Sequence, residues 1–225
     1  MTKFSYEVPL AHLEDFDEYQ DFIFALSFLC EDKIYKSYVK RKKKEGKFLI
    51  LDNSYNELKI PDLPDTLARL FYDLEADLVI SPDCNGWSLE DLRASYKEMT
   101  KLVSKEKILV VVKSREEYDM FMRGGAPHYC TTYEQRKTLP KNIVYLCYHF
   151  LGLLSTWEIR TSSPISCDTG MPIKLALEGK TIADWAGEHF PHLDTTPDFF
   201  NLTLTKEQLK LAKENIEWLN VALAL

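Results

Sequence analysis

The chain has 225 residues, of which 45% are hydrophobic and 28% are charged, and its formal net charge is −7. This length suits one domain with a substantial core, and this composition excludes a wholly disordered chain. The negative charge argues against a generally basic nucleic-acid-binding surface, and no apolar run reaches the roughly 18 residues that a membrane span needs.

The first quarter of the chain predicts one long helix and one short strand. Residues 1–15 look irregular, and in residues 16–45 apolar side chains recur at spacings of three and four, which is typical of an amphipathic helix. Gly46 is a plausible end for that helix, and the apolar run Lys47–Leu51 predicts a buried strand.

The remainder alternates between strand and helix patterns, with N-caps at Ser88, Ser114 and Thr205. The predicted strands are 77–80, 107–112, 128–131, 142–148 and 165–167. The predicted helices are 62–74, 88–103, 115–123, 132–137, 172–178 and 206–223, with a loop rich in Pro and His before the last.

This alternation predicts a parallel sheet covered by helices. Six to eight units at this spacing favour an α/β fold, a compact or incomplete (β/α)8 TIM-like barrel. We expect a single domain over residues 1–225, with a core over 47–180 and a C-terminal helix over about 206–223. In such a barrel the functional groups gather beyond the carboxyl ends of the strands. The candidates that follow a predicted strand in this way are Asp52, Asp83, Lys113, His149 and Asp168.

Three of these strand ends deliver an aspartate: Asp52, Asp83 and Asp168. Carboxylates that converge in one cleft repel each other, which separates an ionised nucleophile or base from a protonated acid. Two other uses stay open, since Asp also forms turns after strands and hard cations bind sets of carboxylates. No metal site or cofactor is predicted, because the sequence has no GxGxxG after a strand, no P-loop and no HExxH.

Other side chains near these strand ends are candidates for substrate binding. They are Asn53, Ser54, Glu57, Lys113, His149, Gly152 and Met171. A separate basic run forms either a solvated helix end or a phosphate-contacting patch beside the site. This run consists of Lys40, Arg41, Lys42, Lys43 and Lys44.

The cysteines are odd in number and scattered, without a CxxC pair or a Cys/His cluster. They lie at positions 30, 84, 130, 147 and 167. Neither a disulfide framework nor a structural zinc is therefore expected. With no apolar signal-peptide core at the N-terminus, we expect reduced thiols and a cytoplasmic protein.

Taken in order, the segments LILDNS, VISPDCNG, YHFLGL and ISCDTGMPIK resemble the strand-end motifs of tRNA-guanine transglycosylases. The resemblance covers roughly residues 47–180. It implies a TIM barrel that exchanges a guanine-type base through a covalent glycosyl–aspartate intermediate. It further implies that Asp168 is the nucleophile, Asp52 the general acid and base, Asp83 a ligand of the base, and Gly152 a backbone contact to it.

The chain departs from that family in several respects. Ser54 and Tyr55 replace the two glycines of the first motif, the zinc-binding cysteines are absent, and the chain is short. We therefore expect a shortened, zinc-less, phage-type pentosyltransferase acting on a guanine-like base in DNA, tRNA or a free nucleoside. The alternatives are a nucleobase-binding protein without turnover and a metal-dependent hydrolase. No membrane partner is expected, and the sequence leaves open whether the chain forms a homo-oligomer.

Overall fold

The computed structural model describes residues 2–153, 155–185 and 196–224, and within them it confirms the predicted TIM-like (β/α)8 barrel with a C-terminal helix. Eight parallel strands form one sheet in the order β1-β8-β7-β6-β5-β4-β3-β2. The strands are β1 Lys3–Tyr6, β2 Ile23–Leu26, β3 Leu49–Asp52, β4 Leu78–Ile80, β5 Ile108–Val111, β6 His128–Thr132, β7 His149–Leu151 and β8 Ser166–Thr169.

Helices surround this sheet. They are α1 Lys33–Lys44, α2 Tyr55–Leu58, α3 Pro64–Asp73, α4 Leu89–Leu102, α5 Arg115–Arg123, α6 Tyr133–Arg136, α7 Lys141–Tyr145, α8 Thr156–Ser162, α9 Met171–Leu177 and α10 Lys206–Ala224. The predicted C-terminal helix is confirmed as α10, which packs on α8 and α9. None of the helices within the described residues combines the length and apolarity required to cross a bilayer.

The predicted N-caps are confirmed where a hydroxyl accepts from the first helical turn. Ser88 Oγ accepts from Asp91 N at 3.2 Å, and Asp91 in turn accepts from Ser88 N, which completes a capping box at the start of α4. Ser114 Oγ accepts from Glu117 N at 3.1 Å at the start of α5. Thr205 Oγ1 accepts from Gln208 N at 3.2 Å just before α10.

Side chains bridge the seam between β1 and β2, the two ends of the strand order. The amide N–H of Phe4 donates to Asp21 Oδ2 at 2.9 Å, and the amide N–H of Phe24 donates to Ser5 Oγ at 3.0 Å. Gln20 accepts from Tyr6 N at 2.7 Å and donates to Tyr6 O at 2.9 Å. These bonds satisfy backbone groups that a strand ladder would otherwise pair, so the barrel is nearly closed.

Alternation along the strands produces two apolar layers. Side chains of one parity fill the barrel interior, whereas those of the other parity pack outward against the helices. The interior set includes Phe22, Ile50, Leu78, Ile80, Leu109, Val111 and Cys130. Because the side-chain period is two, the residue two positions beyond an interior side chain also faces the barrel axis, one layer closer to the carboxyl ends.

Three predicted elements are wrong. Residues 16–45 form not one long helix but a 3-10 helix, β2, a second 3-10 helix over Ser27–Glu31 and then α1, whose N-cap is Asp32. Phe22 to Leu26 is a continuous apolar run because β2 is covered on both faces, and such a run mimics helical spacing. The irregular stretch over 1–15 contains β1.

The predicted strand over 142–148 is a helix for most of its length, since α7 ends at Tyr145 and β7 begins at His149. Ile143 and Val144 are both buried, whereas Tyr145 and Leu146 are both exposed, a pairing that suits a helical turn rather than a strand. Residues 186–195 of the predicted Pro- and His-rich loop lie outside the described residues, and the parts on either side contain short 3-10 helices over Ile182–Trp185 and Pro197–Asn201.

Candidate active site

A cavity of about 320 Å³ opens at the carboxyl ends of the strands. It brings together most of the candidate residues found in the sequence, from positions far apart in the chain. Those that line it are Asp52, Asn53, Glu57, Asp83, Lys113, Gly152, Asp168 and Met171. The predicted convergence of the three aspartates at one mouth of the barrel is therefore observed.

The alternation of the strands explains why these side chains face one cavity. Asp52 lies two residues beyond the interior Ile50, and Lys113 lies two beyond the interior Val111. Asp168 lies two residues beyond Ser166, whose neighbour in the register is His149. Polar side chains thus replace apolar ones in the last layer of the barrel, where the cavity begins.

Asp168 is buried and is contacted by two nitrogen atoms. Its Oδ1 atom lies 3.0 Å from His149 Nε2 and accepts from the amide N–H of Gly152 at 3.3 Å. The other ring nitrogen of His149, Nδ1, lies 2.8 Å from Ser166 Oγ. His149 is 0% exposed and lies behind Asp168 rather than in the cavity wall, so it supports the site without lining it.

Asp52 and Glu57 form an acidic pair in the cavity wall. Burial raises the pKa of Asp52 well above its usual range, and the charges of Glu57, Asp168 and Asp83 raise it further. Burial also raises the pKa of Glu57 to about 7, reinforced by the charges of Glu7 and Asp168. The buried Oε2 atom of Glu57 has no hydrogen-bond partner among the described residues. Both carboxyl groups are therefore suited to hold a proton near neutral pH.

Asp83 holds a lysine. Its Oδ2 atom pairs with Lys113 Nζ at 2.5 Å, while its Oδ1 atom accepts from Asn53 Nδ2 at 2.7 Å. Lys113 also donates to Asn85 Oδ1 at 3.0 Å, and its ammonium group lies 5.5 Å from the centre of the Tyr55 ring. Because both oxygens of Asp83 are engaged, Asp83 fixes the position of the Lys113 charge rather than offering free acceptors to a ligand.

Gly152 occupies a left-handed conformation with φ of 73°, where a glycine is favoured. Its carbonyl accepts from Arg136 Nη2 at 2.6 Å, and Arg136 also donates to the carbonyl of Thr131 at 2.8 Å. Arg136 is buried and pairs with the buried Glu158 at 2.6 Å. Arg136 Nη1 also donates to the carbonyl of Leu151 at 3.2 Å, and this carbonyl belongs to the same peptide group as the Gly152 N–H that donates to Asp168. That peptide group is therefore held by the Arg136–Glu158 ion pair. Nothing in the sequence pattern singled it out.

Several further cavity residues escaped the sequence analysis, among them two acids or bases and one aromatic residue. Glu7 follows β1, Phe24 lies in β2, and Lys174 lies in α9 within 3.8 Å of Glu7. The ring of Phe24 stacks on His149 with centroids 5.0 Å apart and an interplanar angle of 16°. The apolar residues of β1 and β2 are the sequence feature from which Glu7 and Phe24 could have been found. The predictions of an irregular stretch over 1–15 and of one helix over 16–45 left no place for these two strands.

Ser54 does not line the cavity. It is 0% exposed, has a left-handed φ of 54°, and its hydroxyl oxygen accepts from Ser27 Oγ at 3.0 Å. The reason is the turn after β3, in which Asp52 Oδ2 accepts from Ser54 N at 2.7 Å and directs the Ser54 side chain toward the loop after β2. Ser54 therefore contributes to the wall behind the site and not to a substrate contact.

The basic run lies at the other end of the barrel from the cavity. It forms the last turn of α1, which returns to the amino end of β3, whereas the cavity is at the carboxyl ends. Four of its five side chains are ion-paired: Lys40 with Asp73, Lys43 with Asp77, Arg41 with Glu14 and Glu45, and Lys42 with Asp17 and Glu45. Lys44 is the last residue of α1 and is therefore equally remote from the cavity. This position at the far end of the barrel favours the solvated helix end over a phosphate-contacting patch beside the site.

The acidic residues of the cavity are not arranged as a metal site. Across the residues that the structure describes, no group of three or more His, Cys, Asp or Glu side chains is placed to hold a metal ion. Asp83 is committed to Lys113, and Asp168 is committed to His149. The hypothesis of a metal-dependent hydrolase thus gains no support.

Comparison with solved structures gives the same fold. The chain is similar to KGPDC from Streptococcus mutans, with a TM-score of 0.51 and 11% identity over 97% of this chain and 99% of that one. It is similar to N-acetylneuraminate lyase from Mycoplasma synoviae, with a TM-score of 0.53 and 12% identity over 96% and 90% of the two chains. It is also similar to CdNal from Clostridium difficile in complex with mannosamine, with a TM-score of 0.51 and 11% identity over 93% and 90%.

No protein-family model matches the sequence, and no curated protein matches it. These three structures belong to TIM-barrel lyases and decarboxylases and not to tRNA-guanine transglycosylases. The predicted membership of the transglycosylase family is therefore wrong, and so are the predicted pentosyltransferase class and the exchange of a guanine-type base. At these identities the comparisons establish the barrel fold alone.

Proposed function

We propose that the chain is an acid–base enzyme that makes or breaks a carbon–carbon bond next to the carbonyl group of a small polyhydroxylated substrate. One observation carries this proposal. A single cavity holds Asp168, whose Oδ1 atom is contacted by His149 Nε2 and the Gly152 amide, together with two carboxyl groups whose pKa values are raised, Asp52 and Glu57. In enzymes, different surroundings give two carboxyl groups different roles, one as a base and the other as an acid.

Asp168 is suited to act as the base. Its Oδ1 atom is occupied by His149 and by the Gly152 amide, whereas Oδ2 carries no hydrogen bond from the described residues. In the proposed cleavage, Oδ2 accepts the proton of a hydroxyl group β to the substrate carbonyl. That hydroxyl oxygen becomes a new aldehyde, the carbon–carbon bond breaks, and its electron pair moves to the carbonyl oxygen as an enolate.

Asp52 is suited to act as the acid, because its raised pKa keeps a proton available at neutral pH. It donates that proton to the enolate oxygen, which gives a neutral enol. The enol then returns its O–H proton to Asp52 while its carbon takes the proton held by Asp168. Both side chains thereby regain their starting states, and no proton is lost.

Lys113 is suited to stabilise the negative charge that develops on the substrate oxygen. Its ammonium group is fixed by Asp83 and Asn85, so it is oriented before the substrate binds. Two of its three donors are engaged in these contacts, which favours an electrostatic role over attack on the carbonyl as a free amine. Borohydride reduction in the presence of a carbonyl substrate should therefore leave no adduct on Lys113, and a trapped adduct would reassign it as an imine-forming lysine.

The cavity lining favours a substrate that offers many donors. Besides Asp83, whose oxygens are engaged by Lys113 and Asn53, five acidic side chains line it against three lysines: Glu7, Asp52, Glu57, Glu134 and Asp168 against Lys59, Lys113 and Lys174. Carboxyl oxygens accept hydrogen bonds from hydroxyl and amino groups, which are abundant on sugars and amino sugars. The structural neighbours include an N-acetylneuraminate lyase and a protein in complex with mannosamine, which agrees with this substrate class.

The test is a survey of small substrates in D₂O followed by proton NMR. The panel contains ketoses, 2-oxo-3-deoxy sugar acids, and mannosamine together with pyruvate. We expect one compound class to be cleaved, condensed or deuterated next to its carbonyl, with Asp168→Asn and Asp52→Asn each lowering the rate by about 10²–10⁴-fold. Asp119→Asn, on α5 and outside the cavity, is the matched control and should keep the full rate. An inert panel, or equal rates for the wild type and Asp168→Asn, would contradict the proposal.

We also propose that the protein works in a reducing, cytoplasmic setting. All five cysteines are free, and four of them are buried. Burial raises the pKa of the Cys30 thiol to about 12, so this side chain is suited to packing and not to thiolate chemistry.

A further inference from the structure

We propose that Ser166 is a positioning residue that fixes the tautomer of His149, so that this imidazole donates its one ring proton to Asp168. The inference rests on the proposed function in one respect only, which is the role of Asp168 as the base. The hydrogen-bond chain itself, from Ser166 through His149 to Asp168, is a property of the folded protein that can be tested without a substrate.

Adjacent strands place the three side chains in line. His149 and Ser166 are partners in the register of β7 and β8, and both are buried inside the barrel. Asp168 lies two residues beyond Ser166 on β8, so it points the same way, one layer closer to the cavity. The imidazole spans the two layers, with Nδ1 2.8 Å from Ser166 Oγ and Nε2 3.0 Å from Asp168 Oδ1.

The carboxylate decides which ring nitrogen carries the proton. Nε2 faces Asp168, which offers only acceptor atoms when ionised, so the proton belongs on Nε2. Nδ1 then presents a lone pair, and the hydroxyl of Ser166 is the donor within reach. Within the described part of the chain the structure contains no other hydrogen bond to the Ser166 hydroxyl group, so this hydroxyl is free to donate to the ring.

Two aromatic rings prevent the imidazole from turning away from this arrangement. Phe24 stacks on His149 with centroids 5.0 Å apart, and Phe22 meets its edge at 6.0 Å with an interplanar angle of 89°. The opposite tautomer would direct the lone pair of Nε2 at the Asp168 carboxylate and leave Ser166 to accept from Nδ1. Ser166 therefore stabilises the one ring state that holds Asp168 in place for proton transfer.

The experiment is NMR of protein labelled with ¹⁵N at histidine, in which two-bond ¹H–¹⁵N correlations report the protonation of each ring nitrogen. His149→Gln assigns the His149 signals by their loss. We expect a protonated Nε2 and an unprotonated Nδ1 in the wild type. Ser166→Ala should shift both ring nitrogens, Ser166→Thr should restore the wild-type pattern, and the buried control Ser162→Ala should leave it unchanged.

A proton on Nδ1 in the wild type, or an unchanged spectrum in Ser166→Ala, would overturn the assignment. The wild-type spectrum alone decides the tautomer, so the inference stays testable even if Ser166→Ala does not fold. With a substrate from the survey above, Ser166→Ala should lower turnover by about 10–100-fold, and Ser166→Thr should recover most of it. An inert survey with the expected spectra would reject the proposed function while retaining the role of Ser166 in the fold.

Discussion

Replacing Glu57 by Gln should stabilise the protein at alkaline pH and have almost no effect at acidic pH. In the folded protein the pKa of Glu57 is raised from about 4.5 to about 7, chiefly by burial and then by the charge of Glu7. Below pH 4.5 the carboxyl group is protonated in both the folded and the unfolded chain, so it contributes no difference between them. As the pH rises toward 7 the unfolded chain releases the proton first, which favours unfolding.

The shift of the Glu57 pKa fixes the magnitude of this effect. One pKa unit corresponds to about 1.4 kcal/mol, so the wild type should lose about 2–3 kcal/mol of folding free energy through this group between pH 5 and pH 8.5. Glu57→Gln cannot ionise and escapes that loss. For a domain of this size the variant should melt about 5–10 °C above the wild type at pH 8.5 and within about 2 °C of it at pH 5.

Urea titrations followed by tryptophan fluorescence at several pH values measure both free energies, and equal m-values would validate the comparison. Glu116→Gln, which changes an exposed glutamate on α5, is the matched control and should follow the wild type at every pH. If the stability curves of the wild type and Glu57→Gln run parallel across this range, the reasoning about the acidic pair is refuted.

Two further changes probe the support of the site, and a third probes the remote basic run. Arg136→Met should cost about 3–5 kcal/mol because it leaves Glu158 buried without its cation, and the double change Arg136→Met with Glu158→Leu should recover part of that loss in urea denaturation. Lys113→Met should destabilise the protein by about 1–3 kcal/mol at pH 7 by leaving Asp83 buried and unpaired, and an unchanged melting temperature would show that this ion pair is not needed. Lys40→Ala should alter the folding free energy by less than about 1 kcal/mol and leave turnover intact, because its ion pair is exposed and remote from the cavity. Binding of nucleic acid by the wild type with a steep dependence on salt, and its loss in Lys40→Ala, would contradict this assignment.

The barrel could be predicted from the sequence because its central strands carry an unambiguous pattern. Ile108–Val111 is uniformly apolar and is followed within a few residues by the cap of α5, which is typical of a strand buried on both faces. The same reasoning failed where two patterns coincide. The apolar run ending at Leu26 fits helical spacing as well as a buried strand, and only the register with β3 decides between them.

The cavity residues likewise divide into those that the sequence could reveal and those that only the fold reveals. Asp52, Lys113 and Asp168 could be predicted because a polar residue directly beyond an apolar strand must lie at the mouth of a parallel barrel. Arg136 and Glu158 could not, since each is an ordinary charged residue in a short helix until the fold buries both. Ser54 was misassigned because proximity in sequence to Asp52 does not reveal that the turn directs its hydroxyl to the opposite side.

The resemblance to a transglycosylase family failed for a related physical reason. In a parallel barrel the residues directly after the strands line the mouth, whatever the reaction, and a glycine or proline often turns the chain beside them. Motifs such as LILDNS and ISCDTG therefore report the architecture of the mouth rather than one reaction. What distinguishes one chemistry from another lies a layer deeper, in the partners that set each carboxyl group: two N–H donors at Asp168, desolvation and neighbouring acids at Asp52, and an ammonium group at Asp83. Those partners come from β7, β8, α2 and the loops after β4, β5 and β7, and only folding brings them together.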